Sequence, residues 1–387
     1  PPTHTMLPPL VFLALLLLSL LSSSCSSSSS GSASSALEAD LTSPLYNTYL
    51  YSASGATFPT LPSAPTSYAS EVYSALTNAT FWSSFKSKSV APRMHTVLFE
   101  FYSSYSDTDL RPMQVAMSCV CFYGPHLLSR LRSLADAEAV GGPKLDVWTV
   151  EWGGELSAVN ASLHVPKYMY DVMCVERAFG VRGGAGEAGF DGYRVLEIGG
   201  GYGGMADALG RYHDVAEYHI VDLGVVCMLI ERYLSEIGSP VSTSGRLVTH
   251  AATASPAPPP PQGVDLLLSF FCLSEQNKAT VDSYIDLYVA GAERGYLQLN
   301  YDYGSGGGAA GPGSDDMYTM VELFKKVYAL HATAVLLPPP PCGVYGYTSG
   351  HRIKWGPDVG EKVQDRVFDK FTRERGGPGM PATKPSC

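Results

Sequence analysis

The chain has 387 residues, 45% hydrophobic and 16% charged, which is enough apolar sequence for one large or two ordinary folded domains with a real core. Its formal net charge is -10, and none of its 26 Lys and Arg residues form a long run. That argues against nucleic acid as the main partner, because phosphate contacts need clustered cations, and it suits a small neutral substrate.

The first recognisable segment is Leu10 to Leu21, LVFLALLLLSLL, followed by the Ser-rich LSSSCSSSSSGSASSA. The apolar run is short for a bilayer span of about 20 residues and fits the core of a secretory signal. Residues 1–36 are therefore expected to be a signal peptide or signal anchor with a Ser-rich linker. This places the protein in the secretory pathway, in the Golgi or ER lumen, or outside the cell. Membrane attachment would run only through that segment; without a genuine signal the chain would be cytoplasmic. Two sequons, Asn78-Ala79-Thr80 and Asn160-Ala161-Ser162, agree with a lumenal glycoprotein. The eight cysteines are scattered, with no disulfide framework and no metal-site spacing, so they read as small buried residues, with room for one bridge.

Residues 37–189 read as a mainly helical region. VAMSCVCFYGPHLLSRLRSL and KYMYDVMCVERAFG repeat apolar residues at three and four. RGGAGEAG then joins this region to a second one, 190–357, where strands and helices alternate. YRVLEIGG, YHIVDL, RLVTH, VDLLLSFFCLSE and GYLQLNYD read as strands, followed later by AVLLP and RIKW. The intervening helices are MADALGRY, VVCMLIERYLSEIG, TVDSYIDLYVAGAE and MYTMVELFKKVYAL. Continuous apolar strands of this kind predict a doubly wound α/β sheet buried on both faces. ATASPAPPPPQ and GSGGGAAGPGS interrupt it as surface loops or disordered insertions, and residues 358–387 form a tail.

GYRVLEIGGGYGG, Gly192 to Gly204, is the stretch built for a ligand: strand, glycine turn, helix. Gly199, Gly201 and Gly204 fit the G-x-G-x-x-G spacing of dinucleotide sites, while Glu197, Gly199, Gly201 and Gly203 fit an acidic-x-G-x-G-x-G pattern. Asp222, at the end of the second strand, stands where a carboxylate meets a ribose diol, in NAD and S-adenosylmethionine alike. Glu197 discriminates better. A carboxylate beside the turn suits a cationic methionine amine and sulfonium, and gains nothing beside a pyrophosphate.

VLEIGGGYGGMADAL, YHIVDLGVVCMLIERYLSEIG, VDLLLSFFCLSEQNKATVDSYIDLYV and RGYLQLNYD together resemble the sugar O-methyltransferase family, a branch of the class I S-adenosylmethionine-dependent enzymes. The closing GVYGYTSGHRIKWG resembles its last hairpin, and the resemblance covers about Tyr193 to Gly356. It implies a Rossmann-like class I methyltransferase sheet of seven strands, the last antiparallel. Glu197, Gly199, Gly201 and Gly203 would cradle S-adenosylmethionine, and Asp222 would hold its ribose. The acceptor would be a hydroxyl of a sugar or glycan.

Methyl transfer to oxygen needs a base for the hydroxyl proton. Glu275, after the fourth strand, is the first candidate, with Asp302 and His351 behind it. The competing role for Ser274 and Glu275 is an N-terminal helix cap. His213 and His219 are weaker candidates, and no metal is expected. Two other readings stay open: an NAD-dependent oxidoreductase, for which no Tyr-x-x-x-Lys pair is found, and a non-catalytic binding protein of the same fold.

Overall fold

The computed structural model describes residues 72–73, 76–83, 123, 126–143, 145–152, 155–162, 164–181, 189–252, 261–299, 318–337 and 351–357. The Leu10 to Leu21 run, nearly all of the RGGAGEAG join, most of ATASPAPPPPQ, the GSGGGAAGPGS insertion and the tail lie outside the described residues.

A short helix α1 (Ala79–Trp82) and helix α2 (Leu127–Glu138) precede a hairpin of strands β1 (Asp146–Trp152) and β2 (Glu155–Ala161). The hairpin was not singled out by periodicity. Its register runs from Asp146 opposite Ala161 to Trp152 opposite Glu155. Helix α3 (His164–Ala178) follows, then β3 (Arg194–Ile198), α4 (Gly204–Tyr212), β4 (Glu217–Asp222), α5 (Gly224–Glu236), α6 (Pro240–Thr243) and β5 (Leu247–Ala251). The last third comprises β6 (Leu266–Phe270), a 3-10 turn (Cys272–Glu275), α7 (Lys278–Tyr284) with a π turn (Ile285–Val289), β7 (Arg294–Leu299), α8 (Met320–Leu330), β8 (Val335–Leu337) and β9 (His351–Trp355).

Strands β3 to β9 form one sheet in the order β5-β4-β3-β6-β7-β9-β8. Strands β3 to β7 are parallel, and β9 runs antiparallel to both of its neighbours, β7 and β8. This is the Rossmann-like class I methyltransferase sheet that the resemblance implied, with the final strand reversed.

Period-two alternation sorts the strand residues between two cores. Val195, Tyr218, Ile220, Leu266, Leu268 and Tyr296 join α2, α3, α4 and α5 on one face. Leu196, Ile198, Val221, Leu267, Leu297 and Ile353 join α7, its π turn and α8 on the other. Burying each such aliphatic side chain contributes about 1.5–3 kcal/mol, so covering both faces is what holds the sheet.

The fourth strand is shorter than its apolar run. VDLLLSFFCLSE reads as continuous strand, yet the chain leaves the sheet after Phe270. Phe271 adopts φ 66° and ψ -24°, the only positive-φ non-glycine residue among those described. Such a conformation persists only where surrounding structure holds it. Here the Phe271 N–H donates to the Gln298 carbonyl at 2.7 Å, and the Phe271 carbonyl accepts from Ser274 Oγ at 2.7 Å.

The helical region is tied to the sheet by a buried ion pair. Arg130 of α2 lies between the rings of Tyr123 and Tyr212, 4.4 and 4.0 Å from their centroids, and donates to Glu176 Oε1 of α3 at 3.0 Å. His213 Nε2, just after α4, meets the same oxygen at 3.0 Å. His213 is therefore a structural partner of Glu176.

Gly295 of β7 lies opposite Trp355 of β9, and a Cβ on it would come within 2.0 Å of the indole ring. The fully buried indole has nowhere to go. Gly295→Ala should cost about 1–3 kcal/mol by overpacking, read as a lowered denaturation midpoint with an unchanged denaturant slope.

Candidate functional site

The carboxyl ends of the parallel strands form the functional edge. At its centre the turn from β3 to α4 runs through Gly199, Gly201 and Gly203 at φ 82°, 57° and 92°, a region that glycine enters without steric cost. Space also demands glycine. A Cβ at Gly199 would lie 2.5 Å from Cys272 Cβ, one at Gly200 2.5 Å from Ile220 Cγ2, and one at Gly204 2.2 Å from the Tyr168 ring. At Gly201 a Cβ would meet nothing within 4 Å, so this glycine faces open space. The turn delivers the chain into the N-terminus of α4, whose cap, Gly203, offers no side-chain hydrogen bond to the helix N–H groups. An open helix start of this kind attracts polar and anionic ligand groups.

Two carboxylates flank the turn. Asp222 ends β4 and is nearly buried; its Oδ1 accepts from the Leu223 N–H at 2.8 Å and its Oδ2 from the Gly201 N–H at 3.3 Å. These two backbone bonds fix the carboxylate beside the turn. Glu197 is 2% exposed and accepts from the Tyr218 hydroxyl at 2.9 Å. Burial pushes its carboxyl up to about 8, against the opposing pull of Tyr218 and Lys167. It is thus held close to neutrality, and a cation beside it would draw off the proton.

Helix α3 closes this side. Tyr168 packs edge-on against Tyr202 of the turn at 5.8 Å, and Lys167 pairs with Asp171 at 2.8 Å within electrostatic reach of Glu197. Lys167, Tyr168 and Asp171 were missed in the sequence, where they read only as one face of an amphipathic helix.

Of the proposed catalytic residues, Glu275 ends the 3-10 turn that follows β6, which places its backbone at the carboxyl edge. The cap of α7 is Asn277, whose Oδ1 accepts from the Thr280 N–H at 2.8 Å, so the capping role considered for Ser274 and Glu275 is not theirs. His351 opens β9 directly opposite Leu299, the last residue of β7, and so stands at the same edge. Asp302 lies outside the described residues. His219 sits inside β4, hydrogen bonded to His250 at 2.9 Å and Glu217 at 3.1 Å, away from the carboxyl ends. Burial lowers its basicity, and brings that of His250 down to about 4. Among the described residues no group of three or more His, Cys, Asp and Glu is placed to hold a metal ion, and no helix is long and apolar enough to cross a membrane.

No protein-family model matches the chain, and no curated protein matches it. Solved structures do. A candidate O-methyltransferase from Nostoc punctiforme is 18% identical, with 43% of this chain and 51% of that one covered, at a TM-score of 0.33. An O-methyltransferase from neocarzinostatin biosynthesis, in complex with S-adenosyl-L-homocysteine and 1,4-dihydroxy-2-naphthoic acid, is 16% identical over 50% of this chain and 58% of that one, at 0.31. The apo S-adenosylmethionine-dependent methyltransferase SibL is 14% identical over 63% and 74%, at 0.34. The chain spans about half the length of the first of these. At such scores the likenesses add nothing to the assignment, and the fold rests on this chain's own strand order and polarity.

The protonated Glu197 has a consequence for stability. Its folded pKa of about 8 lies above the ordinary 4.5, so between these values the folded state binds a proton that the unfolded chain has released. That contribution makes stability fall as pH rises through this window. Glu197→Gln removes it, and should be more stable than wild type by on the order of a few kcal/mol at pH 8. The advantage should vanish below the ordinary carboxyl pKa. Denaturant melts of both proteins across this range measure it, and an advantage independent of pH would show that the carboxyl is not the titrating group.

Proposed function

We propose that the chain is an S-adenosylmethionine-dependent O-methyltransferase acting on a hydroxyl of a sugar or glycan. The observation that carries the reading is the buried Glu197 behind a glycine turn whose opposite rim is Asp222. A pyrophosphate would sit between two acids with nothing to gain from either. The methionine end of S-adenosylmethionine, with its amine, carboxylate and sulfonium, complements Glu197 and the nearby Lys167, while the ribose diol complements Asp222.

When bound, the cofactor supplies a methyl carbon already activated by its sulfonium. The protein's share is to align a hydroxyl and receive its proton. Glu275 is assigned that proton, with His351 and Asp302 as the alternatives. The acceptor would lie over β6 and β7, against the 3-10 turn. Asn78 and Asn160 are both exposed, which supports the reading of a lumenal glycoprotein that meets its acceptor in the secretory pathway.

Titration of S-adenosylhomocysteine against NAD tests the cofactor, and tight NAD binding alone would overturn the proposal. Asp222→Ala should weaken S-adenosylhomocysteine by about 1–3 kcal/mol, the worth of a hydrogen bond to a charged group. Calorimetry reads that directly.

The base is tested by Glu275→Gln. Turnover in a labelled-methyl assay should fall about 100-fold, while cofactor affinity and Tm stay at wild-type values, because Asn277 rather than Glu275 caps α7. Near-normal turnover would move the role to His351 or Asp302.

A further inference from the structure

We propose that Gln298 reads the acceptor: its side-chain amide meets neighbouring hydroxyls of a polyhydroxylated substrate, donating to one and accepting from the other. This rests on the methyl-transfer reading and gives a role to a residue that the sequence did not single out.

Gln298 is the last residue but one of β7, opposite Phe270 of β6 and Arg352 of β9. Its carbonyl holds the N–H of the strained Phe271, so it stands at the carboxyl edge where β6 turns towards Glu275. Alternation settles its direction. Leu297 and Leu299 enter the core under α7 and α8, which leaves Tyr296 and Gln298 on the α3 side. There Gln298 is 0% exposed, and neither its amide nitrogen nor its amide oxygen has a hydrogen-bond partner among the described residues.

An orphaned buried polar group opposes folding, and a leucine or methionine of similar size would avoid that cost. Packing among the described residues therefore gives no reason for an amide at this position, and a ligand does. The surroundings narrow the ligand class. Asp171 Oδ1 likewise has no partner among the described residues, and Arg352 donates to Tyr170 Oη at 3.2 Å. Donors and acceptors are therefore mixed along one wall between α3 and the sheet. A simple anion would leave Asp171 Oδ1 and the amide oxygen unmatched, and an aromatic acceptor would leave the amide unmatched. Adjacent hydroxyls, each both donor and acceptor, match every group there.

The test uses the full chain and Gln298→Met, which keeps length and removes the amide, with Gln298→Leu in parallel. Under saturating S-adenosylhomocysteine, affinities are measured by NMR titration for methyl glycosides of glucose, galactose, mannose and xylose, and for phenol. At least one glycoside should bind wild type and lose tenfold or more in affinity in both variants. Phenol and S-adenosylhomocysteine affinities should not change, and Tm should be equal or higher. Wild type that binds S-adenosylhomocysteine but none of the four glycosides, or binds them no better than the variants do, overturns the assignment of Gln298 alone. Wild type that fails to bind S-adenosylhomocysteine overturns the methyl-transfer reading, and this inference with it.

Discussion

The structure turns on a steric constraint at Gly199 to Gly204. Four walls converge on that turn: Cys272 from the end of β6, Ile220 from β4, Ile230 and Leu234 from α5, and Tyr168 from α3. Each comes so near that a single Cβ at the facing glycine would push it away. The walls can approach because the glycines have no side chains, and that approach brings β4, β6 and α3 to one place. Only Gly201 is left facing open space. The same contact helps account for Phe271. For Cys272 to lie on Gly199 the chain must leave β6 abruptly, and a bulky residue in the left-handed region makes that exit possible, held by the Gln298 carbonyl and Ser274.

The two faces of the sheet are chemically unequal. Towards α7 and α8 the strands present mainly Leu196, Ile198, Leu267, Leu297 and Ile353, with Ser269 and His219 as polar exceptions. Towards α3 they bury Glu197, Tyr218, Tyr296, Gln298 and Arg352. Polar groups at such depth oppose folding unless they are paired. Some are: Tyr218 donates to Glu197, and Arg352 to Tyr170. The α3 face is thus the more polar and the less stable of the two. The apolar face supplies the stability that offsets it.

Much of the sheet was legible in the chain, because buried parallel strands are continuous apolar runs and the helices between them keep a 3.6 period. The glycine turn, Glu197 and Asp222 were legible too, since they lie close together and carry their geometry in residue type. The reversal of the last strand was implied by family resemblance, and the strand order was settled by hydrogen-bond register. The end of β6 was not legible. LLLSFFCLSE keeps an apolar, strand-like composition past Phe270, and only the contact of Cys272 with Gly199 ends the strand there.

What the sequence by itself determined was therefore local: which segments are strand or helix, where the turn must be glycine, and which two acids border it. Long-range contact decided the rest. The cap of α7 is Asn277 and not the neighbouring Ser274 or Glu275, a choice made by a hydrogen bond to Thr280. His213 is committed to Glu176, 37 residues away. Lys167, Tyr168, Gln298 and Arg352 come from three separate elements, and none was singled out as a site residue in the sequence. Their common place beside α3 exists only because alternation along β7 and β9 turns one set of side chains up and the other down, and because α3 then packs on the polar set.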